Sequence, residues 1–185
     1  MALIELAKIA IESAAWGAAH GYAADLRAVA QKLSGEGSEG TIADALDALA
    51  FRGSGHAEGP GRVAIAIEAL SAADARAMLA YVLTVAAEME LECGALDVAS
   101  RLAARALAAA EPLGKPSALV LAHVVISRSA EARGDASVAG EHLSKARALL
   151  AHPYGVSKRA RGAAMELVAH SNARANAGEH GQGAG

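Results

Sequence analysis

GDASVAGEHLSKARALLAHP, residues Gly134 to Pro153, is the stretch on which the fold turns. Forty positions upstream stands GALDVASRLAARALAAAEP, Gly94 to Pro112. Sliding Leu79–Leu113 by 40 onto Leu119–Pro153 sets Val85 on Val125, Gly94 on Gly134, Val98 on Val138 and Ala99 on Ala139. It also sets Ala106 on Ala146, Ala108 on Ala148, Arg105 on Lys145 and the small residues Ala87 and Ser127 on each other. With 51 alanines in 185 residues, chance alanine identities are common, so the spacing carries the argument. Each copy reads as a helix, a glycine turn, an alanine five residues on and another twelve after the glycine. Small side chains at those points let two antiparallel helices approach closely, and Gly94 and Gly134 permit the tight turn between them.

Outward from this core the whole chain reads as helical. Alanine is the best helix former, Val and Ile are a minority, and no segment alternates with period two. Leu3, Leu6, Ile9, Ala10, Ala14, Ala18, Tyr22 and Leu26 form one stripe within Ala2–Leu33. Gly17 and Gly21 interrupt it, which leaves open one kinked helix or two. SGEGSEG, Ser34–Gly40, reads as a loop, after which Thr41, with Asp44 three residues on, reads as the cap of a short helix ending near Gly53. GSGHAEGPG, Gly53–Gly61, reads as a second loop. Further helices are expected from about Val63 to Leu70, from Asp74 to Cys93, and over Ala95–Ala110, Ser117–Arg133, Ser137–Leu150 and Ser157–Ala175. Short connections between them imply antiparallel neighbours. Residues 176–185, without an apolar face, are expected to be disordered.

The Gly94 and Gly134 segments resemble the tetratricopeptide repeat, in its longer-helix form found in large bacterial regulators. The resemblance covers about 80–153, roughly two 40-residue repeats, with 157–175 as a capping helix. Residues 41–73 share the five and twelve spacing only through Gly61, Ala66 and Ala73, and residues 1–33 do not fit. The expected architecture is therefore all-α: antiparallel hairpins stacked as a short α-solenoid with an N-terminal helical segment, residues 1–175 forming one domain. The resemblance implies a concave surface lined by the first helix of each repeat. That places Tyr81, Thr84, Glu88 and Glu92 beside Leu121, Val124, Arg128 and Glu131, as a groove for another protein or peptide. It also makes Glu88 and Arg128 neighbours there.

Composition excludes several other classes. A 54% apolar content is too high for a wholly disordered chain. A net charge of −3 and five aromatic residues give neither the basic excess nor the stacking platforms of a nucleic-acid binder. The first residues, with Glu5, Lys8 and Glu12 at helical spacing, do not read as a signal peptide. The longest strongly apolar run, Ala118–Ile126, is far shorter than the roughly 20 residues that span a bilayer. A cytoplasmic protein with no membrane partner is expected.

Residues that carry chemistry are scattered. Seven histidines show no pair three or four apart and no HExxH, and the single Cys93 cannot build a disulfide framework or a cysteine zinc site, so no metal or other cofactor is expected. The glycine loops lack the ending of a phosphate-binding loop and follow no strand, and no GxSxG stands in a strand–turn–helix context. EMELE, with Glu88, Glu90 and Glu92, reads as a solvated acidic face unless a pocket separates the acidities of its carboxyls. Lys158, Arg159 and Arg161 at the start of the last helix read as a solvated face or a contact for an acidic partner. The expected function is a non-catalytic adaptor or scaffold. A secretion-type chaperone sheathing an apolar client segment is the related alternative, and a small-molecule-binding or enzymatic helical bundle is the rival. The N-terminal Leu/Ile stripe also offers a surface for homo-oligomerisation.

Overall fold

A computed structural model describes residues 2–33, 37–151 and 155–181, with side chains through residue 173. The described residues form helices α1 (Ala2–Glu12), α2 (Trp16–Lys32), α3 (Glu39–Gly53), α4 (Gly59–Ala72), α5 (Arg76–Glu92), α6 (Leu96–Ala110), α7 (Pro116–Ala132), α8 (Ala136–Leu150) and α9 (Lys158–Gly181). A 3-10 turn at Glu111–Leu113 follows α6. No strand occurs among the described residues. The protein is all-α, a helical-repeat arrangement in which, over α1–α4 and over α6–α9, helices pack against their neighbours in sequence.

The repeat rests on one kind of turn. After α1, α4, α5 and α7 the chain steps through a single left-handed residue: Ala14 (φ 54°), Asp74 (φ 50°), Gly94 (φ 76°) and Gly134 (φ 80°). At each, two backbone hydrogen bonds close the helix end in the same way. The left-handed residue donates to Ile11, Ser71, Leu91 or Glu131, and the next residue donates to Ala10, Leu70, Glu90 or Ala130. This is the Schellman C-cap, which satisfies carbonyls that the helix end leaves unpaired. The residue after the left-handed one also starts the next helix, its carbonyl accepting from Ala19, Leu79, Ala99 or Ala139. Gly114 (φ 56°) lies midway between Gly94 and Gly134, and Gly55 and Gly155 stand one place beyond the same 20-residue cadence. The period therefore reaches both ends of the chain.

The second helices carry a matching stripe. Ala19, Ala23, Leu26 and Ala30 of α2 are buried, as are Gly59, Val63, Ala66 and Leu70 of α4 and Ala99, Ala103, Ala106 and Ala110 of α6. Their counterparts in α8 are Ala139, Leu143, Ala146 and Leu150, of which Leu143 and Ala146 are buried. Each set is the previous one moved by 40. Residues 1–33, expected to stand outside the repeat, thus belong to it. In 41–73 the turn residue is Gly55, Gly61 lies inside α4, and Ala66 holds the slot twelve places into the frame. Ala14 adopts the left-handed backbone at a cost that glycine avoids. Ala14→Gly is expected to raise stability by about 1 kcal/mol, and Gly94→Ala, whose Cβ would meet nothing within 4 Å, to lower it by a similar amount. Chemical denaturation of both variants measures this.

Other local expectations shift in the same light. The break in the first stretch falls at Ser13–Ala15, and Gly17 and Gly21 lie within α2. Helix α3 starts at Glu39 after Ser38, so Thr41 is inside a helix and is not its cap. Pro60 in the first turn of α4 extends that helix back to Gly59, since proline has no amide hydrogen to leave unpaired there. Helix α9 continues to Gly181, past the end expected at Ala175, and residues 182–185 lie outside the described residues.

The chain divides into two compact units, Met1–Met89 and Glu90–Gly185. In the first unit α3 packs against α1, α2 and α4 and buries Ala43, Ala45, Leu46, Ala48, Leu49 and Ala50. Polar ties join α2 to α3: His20 Nδ1 lies 2.7 Å from Asp47, and Arg27 donates to Asp44 at 2.8 Å. The Arg62 guanidinium stacks on Phe51 at 3.9 Å, linking α4 to α3. In the second unit α7 packs against α6, α8 and α9. Val120, Leu121, Val124, Leu143 and Leu167 fill the space between α7, α8 and α9. Burying such side chains contributes about 1.5–3 kcal/mol each. Between α7 and α8 the backbones come close enough for Ser127 Oγ to donate to the Ala139 carbonyl at 2.8 Å.

Candidate functional site

The second unit holds an open cleft of about 550 Å³ lined by residues of α7 and α9 together with Leu91 and Leu96. Its apolar lining comes from these two leucines with Val124, Ala132, Ala163 and Leu167, and its polar groups are Arg128, Glu131, Glu166 and His170. On α7 the contributors Val124, Arg128 and Glu131 follow the four-then-three spacing of one helix face. On α9, Ala163, Glu166, Leu167 and His170 do the same. What aims α9 at α7 is a small polar knot. Ser117 Oγ donates to the Gly155 carbonyl at 2.9 Å and accepts from the Ser157 amide at 2.8 Å, and Ser157 Oγ caps α9 by accepting from the Ala160 amide at 3.2 Å. Gly155, left-handed at φ 97°, lets the chain make this return, and a Cβ there would stand 3.3 Å from Pro116 Cγ.

The cleft is amphipathic, with mixed charge. Arg128 is exposed and forms no ion pair with the described residues. Across the cleft His170 Nε2 lies 3.8 Å from the Glu131 carboxylate. Such a lining can seat an apolar side chain on Val124 and Leu167 and receive a carboxylate or a backbone carbonyl on Arg128. A smaller hollow of about 330 Å³ on the α8 side shares Glu131 and Leu167 with it.

Of the eight residues expected to line a groove, Val124, Arg128 and Glu131 meet in this cleft. Leu121 is buried in the core between α7, α8 and α9 and does not line the cleft. Thr84 is also buried, and its hydroxyl donates to the Ala80 carbonyl of its own helix at 2.8 Å, so it has no surface to offer a partner. Tyr81 is occupied within the first unit: its hydroxyl donates to the Lys8 carbonyl at 3.4 Å, and the Lys8 ammonium lies 5.1 Å from its ring. Glu88 is half-buried in the first unit, and Glu92 is exposed in the second. Glu166 and His170 escape a reading of the sequence, where only their one-turn separation hints at a shared face.

A second cluster lies on the α7–α8 hairpin. His123 Nδ1 and His142 Nδ1 are 3.0 Å apart, with the rings near edge-on. Nineteen positions separate them, so no local spacing announces the pair. Burial, then the charges of His142 and Lys145, pushes the His123 imidazole down to about 4. Burial and Lys145 also lower His142. Lys145 in turn bonds Glu141 at 2.6 Å, and that contact holds the carboxyl of Glu141 below its ordinary value. Among the described residues no group of three or more His, Cys, Asp or Glu is placed around one metal position. No helix among them is long and apolar enough to cross a membrane.

No family model matches the chain, and neither a curated protein nor a solved structure shows significant similarity to it.

Proposed function

We propose that the chain is a tetratricopeptide-like helical repeat that binds another protein or peptide without catalysis, using the α7–α9 cleft as its docking surface. The observation that carries this reading is the exposed Arg128 beside the apolar seat of Val124 and Leu167. A segment with an acidic residue next to an apolar one matches that lining. Helical repeats commonly bind through extended surfaces of this kind, although fold alone does not assign a function.

Arg128→Glu tests the reading. Affinity capture from source-cell lysate with the wild type is expected to retain a partner that Arg128→Glu loses about tenfold or more, with helicity unchanged. Arg101→Glu, an exposed reversal on α6, is expected to keep it. Equal capture by wild type and Arg128→Glu would move the interface elsewhere.

A related reading is a chaperone that sheathes an apolar client segment. It draws on a different observation: Leu6 and Ile9 of α1, and Val29 and Leu33 at the end of α2, are exposed, Ile9 to 59%. Capture lost with Ile9→Glu and kept with Arg128→Glu would favour it. The rival, a ligand-binding or enzymatic bundle, draws on Glu131, Glu166 and His170 in the cleft, and a small molecule whose binding needs Glu166 would favour that.

A further inference from the structure

The geometry points to a two-imidazole seat for a late transition-metal ion, Ni²⁺ or Cu²⁺, formed by His123 of α7 and His142 of α8. Two nitrogens bound at about 2.0–2.1 Å to one metal lie about 2.9 Å apart when cis in a square or octahedral field, and about 3.3–3.4 Å apart in a tetrahedron. The 3.0 Å between the two Nδ1 atoms brings both within reach of one ion in the first arrangement, which Ni²⁺ and Cu²⁺ adopt with imidazole ligands. The seat has two protein ligands. Both histidines are only half-buried, so water completes the coordination from the open side.

Three further facts bear on the seat. Both ligands sit on helices locked together by the α7–α8 packing and by the Gly134 cap between them, so the pair is held in place before the ion arrives. Against the ion stands Lys145, one turn along α8 from His142, and Glu141 offsets its charge at 2.6 Å. In the metal-free protein the same pair is satisfied by one N–H···N hydrogen bond, so the empty state leaves no orphaned group.

Titration of the full, untagged chain with Ni²⁺ at pH 7.5, read by calorimetry, tests this. One ion per chain is expected, with Mg²⁺ giving no heat. His142→Ala is expected to weaken Ni²⁺ binding about tenfold or more, because a chelate loses its second ligand. His56→Ala, at an exposed histidine stacked on Phe51, is expected to leave it within about twofold. Lys145→Gln removes the opposing charge and is expected to tighten binding several-fold, a result that a merely structural histidine pair would not give. Helicity and melting of each variant separate lost binding from lost fold. No Ni²⁺ binding by the wild type, equal binding by His142→Ala, or an equal loss in His56→Ala would overturn the seat.

Discussion

Ala106→Leu is expected to lower stability by about 1–3 kcal/mol, with Ala146→Leu behaving alike. Both alanines are fully buried and occupy the same slot, twelve residues past Gly94 and Gly134. Leucine adds three carbon atoms at a side chain that is already fully buried, and these must push the facing helix away. The same change at Ala104, exposed on α6, is expected to stay within about 0.5 kcal/mol. Urea unfolding followed by far-ultraviolet circular dichroism gives the comparison. Equal midpoints for Ala104→Leu and Ala106→Leu would show that the shared stripe is not what brings the helices together.

The second large effect is expected at Gly59. It fills the slot that Ala19, Ala99 and Ala139 fill in the other copies, and here even a methyl group has no room. A Cβ on Gly59 would stand 2.7 Å from Arg52 Cα and 3.1 Å from its Cβ, against backbone that cannot swing aside. Gly59→Ala therefore forces α3 and α4 apart and is expected to cost about 1–3 kcal/mol. Gly17→Ala and Gly21→Ala run the other way. Both glycines lie inside α2, and an added methyl would meet nothing within 4 Å, so each change is expected to stabilise by about 0.5–1 kcal/mol through helix propensity and reduced freedom of the unfolded chain. Thermal melts of the three variants separate the signs, and a destabilising Gly21→Ala would mean that α2 is not a regular helix at that point.

The parts of the fold legible in the sequence are those where chemistry and geometry coincide. Gly94 and Gly134 announce left-handed turns because glycine is the residue that adopts them without strain. Ala14 and Asp74 take the same backbone without the marker, so two of the four equivalent caps are silent. The repeat consequently looks half as long as it is. Gly17 and Gly21 mislead in the opposite direction: they are glycines inside a helix, where nothing requires them. Thr41 and Asp44 imitate a cap, but Glu39 and Gly40 already lie in α3.

The site divides along a similar line. Val124, Arg128 and Glu131 can be grouped from one helix because their spacing is local. Thr84 and Leu121 share that periodicity and still point inward, since α5 and α7 are buried on more than one face and a stripe no longer separates inside from outside. Glu166, His170 and the His123–His142 pair depend on how one helix is laid against another. That is decided by Ser117, Gly155 and the Ala139 approach, none of which advertises a ligand.

Packing between sequence neighbours also has a kinetic meaning. Within each unit a helix touches partners one or two steps along the chain, so almost every loop that folding must close is short. Chains built this way lose little closure entropy before contacts form and fold early and fast for their size. Opening is equally local. A helix such as α1, held by α2 and α3, can detach by giving up those interfaces, while α3, gripped by three neighbours, is expected to exchange its amide protons last in the first unit.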